Sequence, residues 1–298
     1  MSNWLVIGDT SFTGAAFVRH LREQGHAVAG ASLRTSEALA FCEVGGWDYV
    51  VNFAALNVVA PSWEHPAQYV WVNAAKQIAL WDAMRKNPPK RYIHISTPEV
   101  YGNTSFMVSE DRPFNPSTPY ASSRAAAEML LQNYVRQYNF PAVITRAANV
   151  YGPHQQLYRL IPKLIHTILS GGKFPLEGGG NSVRGFVHVD DCARAIQMLA
   201  DRGVPGLAYH IATANVLPIS AYVRLICEHM GVSYESIVEE TPDRPGKDAV
   251  YWLNPGRMFG MGWAPRITFL DGVDQVIHWM RNDWASIKNM PTNYVFKP

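Results

Sequence analysis

The chain has 298 residues, 48% hydrophobic and only 17% charged, which excludes a disordered protein and is enough to bury a full α/β core. Twenty-six Lys and Arg against 24 Asp and Glu, with no block of like charge, argue against a nucleic-acid arm or a polybasic membrane patch. Residues 4–7 form a short apolar strand, and residues 8–14 a glycine-bounded turn. Residues 15–24 have helical periodicity, Gly25 ends that helix, and residues 26–31 are a second strand. Residues 47–55 give a further buried strand, 67–85 a long helix stopped by Asn87-Pro88-Pro89, and 91–95 a strand. A long helix over 120–138 and a strand over 142–146 follow. This alternation predicts an α/β, Rossmann-type doubly wound parallel sheet. Beyond Tyr151-Gly152-Pro153 turns become denser, which predicts a smaller C-terminal α/β substrate-binding lobe. The expected division is residues 1–152 for a dinucleotide, with returns to the main sheet from about 184–215, and 153–298 for the substrate.

Cys42, Cys192 and Cys227 are scattered and odd in number, so neither a disulfide framework nor a structural metal is expected. The chain opens directly on a strand pattern, and its most apolar stretch, 49–60, is too short to span a bilayer. A soluble, cytoplasmic protein with neither nucleic-acid nor membrane partners is the expectation.

The first strand–turn–helix unit carries Gly8 and Gly14 at the outer positions of a phosphate turn, Ser11 in the middle, and Phe12 and Thr13 before the helix. Such a turn aims backbone amides and a helix dipole at a pyrophosphate. An acid at the end of the second strand normally receives the ribose of NAD. This chain has Ser32 and Arg34 there, a pair that tolerates the extra phosphate of NADP. The stretch 32–47 is also short, so a strand and the usual acid are expected to be missing from the adenine side, with reduced cofactor affinity.

The strand over 91–95 runs into Ser96-Thr97-Pro98-Glu99, at the sheet edge where open parallel sheets bind ligands. One unit later Tyr120 and Arg124, four apart, share a face of a helix start. A cation beside a phenol is expected to lower its pKa, and such a phenol takes a proton from an alcohol while a nicotinamide takes the hydride.

With Asn52-Phe53-Ala54-Ala55, Asn73, Arg146, Asn149-Val150-Tyr151-Gly152-Pro153, Arg159-Leu160-Ile161-Pro162, Val187-His188-Val189-Asp190-Asp191 and Asp243-Arg244-Pro245-Gly246-Lys247-Asp248, these segments make a set. The chain resembles the extended short-chain dehydrogenase/reductase superfamily over nearly its whole length, and within it the nucleotide-sugar 4,6-dehydratase/epimerase branch. The resemblance implies NAD as cofactor, a nucleotide-diphosphate hexose as substrate and a homodimer through the helices at 67–85 and 120–138. It implies Tyr120 as the base for oxidation at C4, with Thr97 on the same hydroxyl, and Glu99 as the base for the C5 proton. Around the cofactor it implies Gly8, Ser11, Phe12, Thr13, Gly14, Ser32, Arg34, Ala54, Ala55, Asn73, Ser96, Tyr120 and Arg124. On the substrate side it implies Thr97, Asn149, Arg159, Leu160, Arg184 and Arg244. Two positions depart from the pattern. Pro98 replaces the aspartic acid that assists loss of the C6 hydroxyl, and Arg124 replaces a lysine. Three readings stay open: a dehydratase; an epimerase or uronate decarboxylase, neither of which needs a C6 acid; and a nucleotide-sugar-binding protein with impaired turnover.

Overall fold

The computed structural model describes residues 1–243 and 248–296. Its first part runs β1 (Asn3–Ile7), α1 (Phe12–Glu23), β2 (Ala27–Ala31), α2 (Glu37–Val44), β3 (Tyr49–Asn52), α3 (Ala60–Glu64), α4 (Pro66–Val70), α5 (Lys76–Met84), β4 (Arg91–Ser96), α6 (Pro119–Tyr138), β5 (Ala142–Ala147) and β6 (Asn149–Tyr151). It continues through α7 (Leu160–Ser170), β7 (Phe174–Glu177), β8 (Val183–Arg184), β9 (Phe186–His188), α8 (Val189–Arg202), β10 (Ala208–Ile211) and β11 (Leu217–Pro218). It ends with α9 (Ile219–His229), α10 (Tyr234–Ile237), β12 (Val238–Thr241), α11 (Gly256–Gly260), α12 (Phe269–Asn282) and α13 (Trp284–Ile287).

Six parallel strands form the main sheet in the order β10-β5-β4-β3-β1-β2. Parallel strands need crossover helices, which cover both faces, and this is why β1 is apolar on both sides. Trp4 and Val6 pack with Phe17, Leu21 and Ile196 on the α1/α8 face. Leu5 and Ile7 pack with Ala38, Leu80 and Leu131 on the α2/α5/α6 face. The sheet ends at β2, and the short stretch after it forms α2 instead of a strand, as its length predicted. A further apolar cluster joins α7, α9 and α12 through Leu164, Ile165, Val223, Ile226, Val276 and Met280. Among the described residues no helix is long and apolar enough to cross a membrane.

Four local expectations are corrected. The strand expected over 47–55 is confined to Tyr49–Asn52, because the Asn52 side chain turns back to accept the Ala54 amide at 2.9 Å and starts a loop. Helix α1 starts at Phe12 rather than Ala15, because the Ser11 hydroxyl caps it by accepting the Gly14 amide at 3.1 Å. The helix over 67–85 is α4, one π turn (Trp71–Ala75) and α5. The π turn inserts a residue and rotates Asn73 inward, where it is fully buried. Of the returning segments, β10 joins the main sheet, but β9 pairs with β6 in a separate two-stranded ladder.

Candidate active site

The site lies along the carboxyl ends of β1, β3 and β4. Gly8 leaves β1 at φ 82°, a conformation that suits glycine, and donates its amide to the Ala31 carbonyl at 2.8 Å. A Cβ on Gly14 would stand 2.2 Å from the Gly8 carbonyl oxygen, so the turn closes this tightly only with glycine there. The Ser11 hydroxyl donates to that carbonyl at 2.7 Å while accepting from Gly14. Ser11 therefore shapes the turn with its side chain, and the first-turn amides of Phe12 and Thr13 are left to face an anion. This cradle fits a dinucleotide pyrophosphate.

The adjoining loop is stapled from behind. Asn52 Nδ2 donates to Gln77 Oε1 at 2.5 Å and to the Tyr92 hydroxyl at 3.1 Å, which orients its Oδ1 toward the Ala54 amide. Asn73 accepts the Leu56 amide (2.8 Å) and donates to the Leu56 carbonyl (3.0 Å) and Ser123 Oγ (2.9 Å). Asn73 thus fixes the course of the loop through Ala54 and Ala55 with its whole amide. Gly8 lies against that loop: a Cβ on it would meet the Ala54 amide nitrogen at 2.9 Å.

At the end of β4, Thr97 caps a short 3₁₀ turn (Pro98–Tyr101), its hydroxyl accepting the Glu99 amide at 3.3 Å. Pro119 and the cap Thr118 start α6, which places Tyr120 in the first turn, facing Thr97. The Tyr120 phenol is buried, and both the Thr97 hydroxyl and the Glu99 carboxylate act on it. Burial raises the Tyr120 pKa and the charge of Glu99 raises it further; Arg124, the Thr97 bond and Arg159 pull it down. The net direction is up, so the expectation of a phenol made more acidic by its cation is corrected. Burial and then Glu99 outweigh Arg124, whose buried guanidinium is also held by the Ile95 carbonyl and, at 3.3 Å, by His94 Nε2. Ser96 is likewise held, donating its hydroxyl to Glu128, which is buried in an ion pair with Arg146 at 2.5 Å.

On the lobe side, Asn149 is exposed at the start of β6, with its amide on the Gly185 carbonyl at 3.1 Å. Arg159 caps α7 and reaches across to Asn57 Oδ1 at 3.2 Å, while Leu160 packs into the lobe core. Arg184 is not a solvated cation. Its guanidinium donates to the carbonyls of Val183 (2.8 Å), Ala249 (3.1 Å) and Asp248 (2.6 Å) and lies 4.1 Å over the Tyr251 ring. Arg244 falls outside the described residues. Ser32 and Arg34 sit after β2, the Arg34 amide donating to Ser32 Oγ at 3.1 Å.

Sequence reasoning missed three contributors. Tyr251 donates to the Asp248 carboxylate at 2.6 Å, and burial first and Glu99 second push its pKa far up, so the Glu99 charge acts on both Tyr251 and Tyr120. Its signal was its place three residues after Asp248. Tyr69, edge-on to Tyr120 at 6.2 Å, holds the Val58 carbonyl at 2.5 Å, and Phe296 stacks on His65 beside it at 4.3 Å. No local pattern announced that packing.

Comparison with known proteins agrees with this geometry. Residues 4–212 match the model of the NAD dependent epimerase/dehydratase family. The human dTDP-D-glucose 4,6-dehydratase is 34% identical over 249 residues, 82% of this chain and 71% of that protein. A crystal structure of dTDP-glucose 4,6-dehydratase from Streptomyces venezuelae with NAD bound superposes with a TM-score of 0.88, at 29% identity, covering 95% of this chain and 98% of that one. A UDP-glucose 4-epimerase from Thermotoga maritima with UDP-glucose also gives 0.88, at 25% identity over 95% and 99%. With its glycine cradle, its Thr97–Tyr120 pair and these relatives, the chain belongs to the NAD dependent epimerase/dehydratase family.

Proposed function

We propose that the chain is an NAD-dependent nucleotide-sugar 4,6-dehydratase-type enzyme that oxidises C4 of a nucleotide-diphosphate hexose and then abstracts the C5 proton. The observation that carries this reading is the placement of Thr97 and Glu99 on the turn after β4 and of the buried Tyr120 in the first turn of α6, where both act on its phenol. Two bases then serve one sugar ring. NAD, when bound, supplies the two-electron oxidation at C4 and its reversal. Tyr120 takes the C4 hydroxyl proton, with the Thr97 hydroxyl holding that oxygen in line. The ketone so formed acidifies C5, and Glu99 removes that proton. Gly8, Phe12, Thr13 and Gly14 form the pyrophosphate cradle, and Asn73 holds the loop of Ala54 and Ala55 against it. Arg124 lends positive charge. Asn149, Arg159, Leu160 and Arg184 build the substrate side; Arg184 acts by holding the 248–251 segment rather than by meeting phosphates directly. This supports a division of labour between residues 1–152, with the return at 184–215, and 153–298.

A second reading, an epimerase, is favoured by one observation: Pro98 puts no proton donor beside the C6 hydroxyl. Exposed Val70 and Trp71 near α5 and Met129 on α6 support a homodimer through those helices. Three free, buried cysteines suit a reducing, cytoplasmic setting. The deciding experiment incubates the protein with NAD and a panel of nucleotide hexoses in deuterated water. Loss of one water with deuterium at C5 supports the dehydratase. Deuterium at C5 in an epimerised sugar, without loss of water, supports a C5 epimerase, and inversion at C4 without deuterium supports a C4 epimerase. No exchange at C5 and no inversion at C4, with the sugar nucleotide bound, overturns both. Tyr120→Phe is the control, expected to abolish exchange because no C4 ketone forms.

A further inference from the structure

We infer that Asp9 supplies the carboxylate for the adenosine-ribose hydroxyls of the dinucleotide and sets this chain for NAD against NADP; the inference rests on the dinucleotide reading above. A ribose-binding acid ordinarily projects from the end of the second strand. Here β2 ends in Gly30-Ala31, and neither residue carries a polar side chain. A carboxylate nevertheless lies there. A Cβ placed on Gly30 would stand 2.1 Å from Asp9 Oδ2 and 2.5 Å from Asp9 Cγ, so the Asp9 carboxyl group occupies the space over Gly30. Asp9 follows Gly8, whose amide is tied to the Ala31 carbonyl at 2.8 Å, so the turn itself carries the acid to the strand end. The group is half-buried and makes no hydrogen bond or ion pair with the other described residues. With the pyrophosphate on the first turn of α1, the next group of a dinucleotide falls between that turn and the end of β2.

The surroundings disfavour a 2′-phosphate. The Ser32 amide, a natural phosphate donor at this place, is already given to Glu37 Oε2 at 3.0 Å. Ser32 Oγ accepts the Arg34 amide, and Lys76 Nζ is committed to the Leu33 carbonyl at 3.1 Å. Two carboxylates, Asp9 and Glu37, and two cations, Lys76 and the exposed Arg34, lie around this end of β2, and it is Asp9 that occupies the space over Gly30. That placement reverses the tolerance of NADP expected from Ser32 and Arg34 alone.

The test is fluorescence titration of the purified protein with NADH and with NADPH, which needs no turnover. Wild type is expected to bind NADH at least about tenfold more tightly, because like charges oppose the extra phosphate and a carboxylate accepts ribose hydroxyls strongly. Asp9→Asn keeps the shape of the side chain and is expected to bring the two affinities to within about threefold, at an unchanged melting temperature. Gly30→Ala, which displaces the carboxyl group without removing it, is expected to shift the ratio in the same direction. An unchanged NADH-to-NADPH ratio in Asp9→Asn, or a wild type that prefers NADPH or does not discriminate, overturns the assignment and leaves the proposed function standing. Binding of neither nucleotide by wild type overturns both.

Discussion

Pro98→Asp tests whether the departure of the C6 hydroxyl is the slow step of this enzyme. Proline and aspartate have similar volumes, and Pro98 borders a cavity of about 10 Å³ shared with Asn149, Arg184 and Tyr251, room for one water. The substitution therefore overpacks nothing. It does release the fixed backbone at the first position of the 3₁₀ turn, costing about 0.4–1 kcal/mol through the unfolded chain. The new carboxyl would be as buried as Pro98 and next to Glu99, and both effects favour its protonated form. Arg184 opposes them weakly, since its guanidinium already serves three carbonyls. A positioned general acid is worth about 10²–10⁴ in rate. Wild type should exchange the C5 proton faster than it loses water, and Pro98→Asp should raise water loss by about 10² or more with exchange little changed. Both rates come from one incubation of a nucleotide hexose in deuterated water, with products separated by mass. If the variant exchanges C5 like wild type and loses water no faster, position 98 is not where the leaving group is met.

Three further outcomes follow from the charges around the site. Glu99→Gln removes a carboxylate that raises the Tyr120 pKa, so the pH dependence of C4 oxidation, followed by the absorbance of reduced nicotinamide in a single turnover, should move to lower pH. An unmoved profile would remove Glu99 from contact with the base. Glu128→Ala leaves Arg146 buried and uncompensated, and chemical denaturation should show a loss of about 3–5 kcal/mol; a loss below about 1 kcal/mol would make the pair dispensable. His210 is buried with its pKa lowered from 6.5 to about 3, burial first and Arg146 second, so it favours folding above 6.5 and loses that contribution as pH falls toward 3. At about 1.4 kcal/mol per unit this is an upper bound of about 5 kcal/mol, and denaturation midpoints measured down that range should fall less in His210→Gln.

The parallel sheet was legible because it leaves continuous apolar runs such as Trp4–Leu5–Val6–Ile7, closed by Gly8 at positive φ; the order of its strands was not read from the sequence. The placement of the candidate residues was legible as well, since Thr97 and Glu99 lie just after a strand end and Tyr120 at a helix start. What escaped was direction. Spacing places Arg124 one turn after Tyr120, but it does not say that the Ile95 carbonyl and His94 will hold the guanidinium. Arg184 looked like a phosphate ligand, because a sequence does not show that the carbonyls of 183, 248 and 249 converge on it. The π turn at Asn73 was illegible for a similar reason: it is stabilised by the Leu56 backbone and Ser123, which lie far from it in the chain. Asp9 was passed over because the glycine turn was read for its glycines, and the partner that gives Asp9 meaning, Gly30, is marked only by lacking a side chain.

In the proposed mechanism the arrangement of charge gives the two bases an order. While Glu99 is ionised its field raises the Tyr120 pKa, so the phenolate, once formed, is a stronger base toward the C4 hydroxyl proton. When Glu99 takes the C5 proton it becomes neutral and that field is lost. Tyr120 then becomes more acidic and releases its proton more readily, as the return of the hydride demands. Burial acts on Tyr120 throughout, so the variable part of its basicity comes from Glu99, with Arg124, Arg159 and the Thr97 bond as a fixed opposing set. Tyr251 lies under the same influence, its hydroxyl donated to Asp248 and its pKa raised by burial and by Glu99. Protonation of Glu99 therefore changes the field at both phenols at once, and it couples proton abstraction at C5 to the state of the base at C4 without movement of the chain.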